Sequence, residues 1–198
     1  MPSSRENDII LKTVAVGYGN VGKTCMYIRY HTGVFPDEYV PTVYDEGDNT
    51  SGEIDGKVYN LNCFDTGGGE DYDRLRPLIY PNTDVFLLLF DIAGSRKRFK
   101  EIYTYWWAEL HEHCPEVPII LVGSKIDLRF KGQNGQTTIA TAEGETMAKQ
   151  IGAAKYMEIS SLENEGVREL FKEAIKIGYD HVLKEKSKKD KRKCCEIL

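Results

Sequence analysis

The most apolar stretch of the chain is VFLLLF at 85–90, and shorter runs of the same kind recur along the sequence. Runs of this length, bounded by polar residues, read as strands buried on both faces. They predict strands at 9–16, 58–64, 85–90, 117–122 and 156–159. Between them the apolar positions switch to a helical period, which predicts helices at 23–31, 98–111, 142–151 and 166–184. Strands alternating with helices imply an α/β fold, a mostly parallel sheet with helices on both faces. Asp55-Gly56, between short strand candidates around Glu53 and Val58, signals a tight hairpin, so one strand of an expected six runs antiparallel. The stretch RFKGQNGQTT reads as a polar loop, and KEKSKKDKRK as a solvated extension beyond the last helix. The domain organisation expected is one folded unit over 1–183 and a flexible basic tail over 184–198, without internal repeats.

At 198 residues, 41% hydrophobic and 29% charged, the chain has the composition of one globular domain with a well-buried core. Its longest purely apolar run is far short of a membrane span, and the opening MPSSREND lacks a signal-peptide core, so a cytosolic protein is expected. The five cysteines, at 25, 63, 114, 194 and 195, form no CxxC pair and imply reduced thiols. His111, His113 and Cys114 precede Pro115 at a helix end and read as solvated surface, not as a metal site. The net charge of −5 hides an asymmetry: 184–198 carries seven basic and three acidic residues, against 19 basic and 28 acidic upstream. No basic stripe interleaved with aromatics appears in the folded part, so no nucleic-acid partner is expected.

Candidate chemistry centres on GYGNVGKT at 17–24, which follows the first strand and opens a helix. Gly17-x-Gly19-x-x-Gly22 is the dinucleotide fingerprint, while Gly17-x-x-x-x-Gly22-Lys23-Thr24 is the phosphate-binding P-loop. The acid that a dinucleotide site needs about 20 residues on could be Asp37 or Glu38, but both sit in a Gly- and Pro-containing stretch and not at a strand end. Lys23 and Thr24 are what the P-loop needs in addition, an ammonium for β and γ phosphates and a hydroxyl for magnesium beside a nest of backbone N–H groups. Asp65, closing YNLNCFD ahead of three glycines, is the candidate carboxylate near that magnesium. At the far end of the sheet, Ser124-Lys125-x-Asp127 follows a buried strand. A carboxylate there accepts two parallel hydrogen bonds from guanine, and adenine lacks that donor pair.

These motifs, with FPDEYVPTVYDE, EDYDRLRPLIYPNTDVFLLLFDI, HCPEVPIILVGSKIDLR and GAAKYMEISSLENEGVREL, resemble the Ras-like small GTPases and, within them, the Rho family, over nearly all of 9–183. The resemblance implies the P-loop GTPase fold and a switch that binds GTP or GDP with magnesium and engages effectors in the GTP state, signalling to actin. It places Thr24 and Thr42 on the metal with Asp65 behind them, the Gly68 backbone on the γ phosphate, Phe35 against the base and Tyr39 over the phosphates. Gly19, Asn20, Val21, Gly22, Lys23 and Cys25 line the phosphate loop. Ser160, Ser161 and Leu162 assist Lys125 and Asp127 at the base. Lys23, Thr42, Gly68 and Gly69 occupy the catalytic positions. The partners implied are effectors such as formins and kinases, an exchange factor, a GTPase-activating protein and a dissociation inhibitor.

The tail extends the resemblance. Cys195-Glu-Ile-Leu is a C-a-a-X ending whose final leucine favours geranylgeranyl, and the upstream lysines and arginine add the second signal for an anionic inner leaflet. The expected location is the cytoplasmic face of the plasma membrane or another membrane, with a cytosolic pool.

Four departures alter these expectations. Gly69 stands where the family has the glutamine that orients the attacking water, which predicts slow hydrolysis and a weak response to an activating protein. Tyr18 and Asn20 replace an aspartate and an alanine of the usual Rho loop. Ser124 replaces an asparagine, which predicts somewhat fast exchange. The fifteen residues between Leu128 and Gly144 lack an amphipathic period where most Rho proteins carry an additional helix. Two alternatives stand beside the switch: a GTP-binding scaffold that scarcely hydrolyses, and an NAD-dependent oxidoreductase resting on the glycine fingerprint alone.

Overall fold

The computed structural model describes residues 9–36, 44–46, 50–54, 57–129 and 138–195. Its centre is a parallel sheet in the order β4 (Lys57–Thr66), β1 (Ile9–Val16), β5 (Val85–Asp91), β6 (Ile119–Ser124) and β7 (Lys155–Ile159). Two short segments, β2 (Tyr44–Glu46) and β3 (Thr50–Ile54), both pair antiparallel with β4. Among the described residues the sheet thus has seven strands where six were expected, with two antiparallel segments in place of one; β3 closes on β4 through the pair Ile54–Lys57, and the turn residues Asp55 and Gly56 lie outside the described residues.

Alternation along the strands divides the core into two layers. From β5, Val85, Leu87 and Leu89 enter one layer, while Phe86, Leu88 and Phe90 enter the other. The first layer is closed by α1 (Lys23–Thr32) and α5 (Val167–Cys195), which contributes Val167, Leu170, Phe171, Ala174 and Ile175 at the spacing of one helix face. The second is closed by α4 (Thr141–Gln150) and by the helical stretch before β6.

That stretch departs from the single α-helix predicted over 98–111. It comprises α2 (Arg96–Glu101), a π-helical turn (Ile102–Trp107) and α3 (Ala108–His113). The wider turn carries Ile102 and Trp106 into the core, each 1% exposed, and leaves Tyr103 outside. The strand predicted at 117–122 begins instead at Ile119, because Cys114–Val117 closes a turn and the nitrogen of Pro118 cannot donate to a ladder. The last helix does not end at 184: its backbone continues to Cys195, where an irregular extension was expected. Lysines and glutamates are good helix formers, and Lys188 bridges Glu185 one turn back and Glu116 at 2.8 Å. Among the described residues, no helix is long and apolar enough to cross a membrane. The segment 130–137, most of the region read as lacking an additional helix, lies outside the described residues.

Candidate functional site

All the expected site loops that are described leave the carboxyl ends of the parallel strands, where open α/β sheets bind ligands. The loop 17–22 runs from β1 into α1. Gly17 has φ +135°, and a Cβ on it would lie 2.3 Å from the Leu89 carbonyl oxygen of the neighbouring strand, so no other residue fits. Gly22 caps α1 at φ +93°, while Cβ atoms on Gly19 or Gly22 would meet nothing within 4 Å. The loop is therefore pressed to the sheet at its first glycine and open at the other two. Asn20 is exposed with φ +65°, and Val21 is buried.

Lys23 lies almost wholly buried and folds back over the loop, its ammonium donating to the carbonyls of Gly17 (2.7 Å) and Tyr18 (3.0 Å). Burial pushes this ammonium down to about 8, an effect that Asp65 partly offsets and Arg76 reinforces. Thr24 donates to Asp65 at 2.5 Å, and Asp65 is itself 5% exposed at the end of β4. Cys25 follows on the first turn of α1, half-buried.

This donor set fits a magnesium–phosphate group and not an all-protein metal cage. It offers a hard hydroxyl oxygen against a carboxylate, a buried ammonium in need of an anion, and a helix N-terminus. Among the described residues no three His, Cys, Asp or Glu side chains gather into a metal site.

The second cluster forms beyond β6 and β7. Ser160, fully buried, donates to Asp127 at 2.7 Å and accepts the Glu163 N–H at 3.0 Å. Lys125 adopts φ +62° and reaches across to the Asn20 carbonyl (2.6 Å) and to Asp91 (2.8 Å). Ser124 donates to Val21 (2.6 Å) and Phe90 (2.9 Å), so its hydroxyl ties the base end of the site to the phosphate loop. Arg29 of α1 holds the loop after β7 by two carbonyls, those of Ser161 and Leu162, and donates also to Gly33 at the end of its own helix. The two clusters are thereby joined by direct hydrogen bonds.

Arg129 and Glu158 were not singled out in the sequence, and they lock the base cluster from behind. Both guanidinium ends meet the carboxylate at 2.7 Å, and Tyr156 donates to it at 2.7 Å. Burial raises the Glu158 proton affinity, but Arg129, Tyr156 and Thr141 outweigh it and hold the carboxyl below its usual 4.5. Its folded-state value being depressed, its stabilisation is complete above the unfolded value of about 4.5 and is lost as pH falls from there through the folded value. Glu158→Gln should lower unfolding free energy at pH 7 by about 1–3 kcal/mol. It should also flatten the acid limb below pH 4.5; denaturant unfolding of both proteins across pH 3–7 measures this.

Gly68 lies directly on the phosphate loop. Its carbonyl accepts the Gly19 N–H at 3.2 Å, and a Cβ there would stand 2.4 Å from three backbone atoms of 17–19. Gly69 is exposed, with φ −85° and ψ 154°, at the start of a 3₁₀ turn (Glu70–Tyr72). Phe35 is half-buried just beyond the Gly33 cap of α1. Tyr39 and Thr42 lie outside the described residues, as do Asp37 and Glu38. The oxidoreductase alternative fails on topology, since the segments following α1 run antiparallel to β4 where a dinucleotide fold needs a parallel strand. Comparison with known families agrees with the site: the Ras family model matches the chain over residues 12–179.

Proposed function

Since the chain belongs to the Ras family, and so is a small GTPase switch, we propose that it is of the Rho type, with base selection through Asp127 and a hydrolysis step weakened at Gly69. The observation that carries this reading is the joined geometry of the two clusters: Ser160 orients Asp127 at 2.7 Å, and Lys125 spans from that loop to the phosphate loop at 2.6 Å. A guanine edge held by Asp127 then sits at a fixed distance from phosphates lying over 19–24. Bound magnesium supplies charge neutralisation between the β and γ phosphates. Lys23, Thr24 and the loop N–H groups would bind and orient those phosphates, Asp65 fixes the Thr24 hydroxyl, and the family resemblance would have Thr42 join Thr24 in holding the metal.

Family members in general engage effectors, exchange factors and activating proteins. For this chain the Rho-like stretches support effectors acting on actin, formins and kinases among them, and a dissociation inhibitor. The C-a-a-X ending and lysine-rich 184–193 support geranylgeranylation of Cys195 and residence at the cytoplasmic face of the plasma membrane, with a cytosolic pool. On this reading 1–183 is the switch and 184–198 the anchor. Gly69 favours a second reading, a GTP-loaded scaffold in which turnover is negligible.

The nucleotide released on denaturing the purified protein tests the proposal. Guanine nucleotide is expected, and adenine nucleotide or none after incubation with GDP and magnesium would overturn it. Single-turnover phosphate release with and without a Rho-type activating protein then separates switch from scaffold.

A further inference from the structure

Tyr18, which has no counterpart in the usual Rho loop, is the residue of the phosphate loop with the most elaborate side-chain environment. Its ring stacks on Tyr105 with centroids 6.0 Å apart and 12° between planes, and meets Trp106 edge to face at 5.3 Å. The Arg98 guanidinium lies 5.1 Å from the ring centroid, and the hydroxyl donates to Glu101 at 2.8 Å. Burial and the Glu101 carboxylate hold the phenol well above the ordinary tyrosine range, so it remains a donor. All four partners lie on one helical stretch, and the π-helical turn (Ile102–Trp107) brings the consecutive residues Tyr105 and Trp106 to it.

The same two aromatics hold the segment that follows the glycine run. Arg76, 1% exposed, lies over the Trp106 ring at 4.4 Å and donates to Glu109 at 3.0 and 2.5 Å, to Asp73 at 3.1 Å and to the Tyr105 hydroxyl at 3.3 Å. The chain between Gly68 and Arg76 returns to the phosphate loop through the Gly19–Gly68 hydrogen bond. The contacts therefore close a ring: phosphate loop, Tyr18, Tyr105 and Trp106, Arg76, the glycine run, and the phosphate loop again.

We propose that Tyr18 is a positioning residue of the nucleotide site, tying the phosphate loop through Tyr105 and Trp106 to Arg76, so that nucleotide release and opening of the segment 70–79 are coupled. The proposal rests on the GTPase reading above. An aspartate at 18 would remove the stack on this aromatic pair, leaving the Gly19–Gly68 hydrogen bond to tie the phosphate loop to the chain leading to 70–79.

The test is release of a fluorescent GDP together with hydrogen exchange. Tyr18→Leu keeps an apolar side chain but removes the stack and the donor, and should speed release about tenfold, whereas Tyr18→Phe, keeping the ring, should stay within about threefold of the parent. Amides of 70–79 should lose protection in Tyr18→Leu while those of α4 do not. The change in release on adding Arg76→Lys should be smaller in Tyr18→Leu than in the parent. Release within about twofold of the parent for Tyr18→Leu, additive effects with Arg76→Lys, or equal loss of protection in α4 would overturn the coupling. A parent protein that holds no guanine nucleotide would defeat the functional reading instead, and the exchange measurement would still decide whether Tyr18 governs 70–79. Should Tyr18→Leu not fold, Glu101→Gln replaces it: acceleration of about threefold is expected in the parent and none in Tyr18→Phe, and equal acceleration in both overturns the proposal.

Discussion

Replacing Gly69 with glutamine should raise single-turnover GTP hydrolysis by roughly one to two orders of magnitude, the range that positioning of a nucleophile commands. Nothing in the backbone demands glycine at this position. Its φ of −85° and ψ of 154° are open to any residue, and a Cβ would meet the Tyr72 ring at 3.6 Å, ordinary contact. Its neighbours differ. At Gly67 the same atom would stand 2.6 Å from the Tyr72 ring, and at Gly68 it would strike the backbone of 17–19 at 2.4 Å. A glutamine at 69 can thus be accommodated without moving the loop, and its amide supplies the donor and acceptor that glycine lacks. Gly69→Ala, which stiffens the chain without supplying those groups, should leave the rate within about threefold of the parent and so separates water positioning from loop entropy. Phosphate release from GTP-preloaded protein, started with magnesium, measures all three. An unchanged rate in Gly69→Gln would mean that another group already orients the water.

Lys23→Met should weaken GDP binding by a factor of about 10 to 100, because the charge-assisted bond to the β phosphate, the one of its two phosphate partners that GDP retains, is lost. The same substitution should move the melting temperature of the nucleotide-free protein by only a few degrees, about 1 kcal/mol or less. The two effects part company because the ammonium is buried against two carbonyls, where the cost of burial, visible in a proton affinity lowered to about 8, offsets the hydrogen bonds it makes. The parent should gain several degrees on adding GDP and magnesium, and the variant none. Thermal melts with and without nucleotide, beside a fluorescent-GDP titration, provide the check. Retention of binding within about threefold would remove Lys23 from the phosphate site.

Legibility in the sequence followed the range of the interaction. Strand β5 was readable because both faces are buried and its apolar run is continuous, and the loop 17–24 because its glycine spacing carries its own geometry. Asp65 could be named because it lies at the end of a strand ahead of a glycine run, and Asp127 because it belongs to a recognisable motif just past the end of β6. The residues that brace them could not. Arg29, Asp91 and the Arg129–Glu158 pair act by bonds to carbonyls or carboxylates distant in sequence, and such bonds leave no spacing to read. Asp91 had one visible cue, a carboxylate closing the most apolar strand. The π-helical turn was hidden because a run of large side chains fits an α-helical period almost as well, and only contact with Tyr18 and Arg76 distinguishes the two. The end of α5 was misplaced because its apolar face stops where the charged run begins, although the backbone has no reason to stop there.

That continuation bears on reach. From Lys188, the last residue seen to pair with the body of the domain, helix at roughly 1.5 Å per residue adds about 10 Å to Cys195. A lipid carried on Cys195 would then sit at the tip of a mast stepped into the core by Val167, Leu170 and Phe171 and guyed at Lys188 to Glu116. Such a mast transmits tilt. If the tail is the anchor proposed above, the angle at which it meets a bilayer would set which side of the sheet faces the lipid, so the orientation of the domain would be fixed by the bearing of one helix instead of averaged over a slack tether.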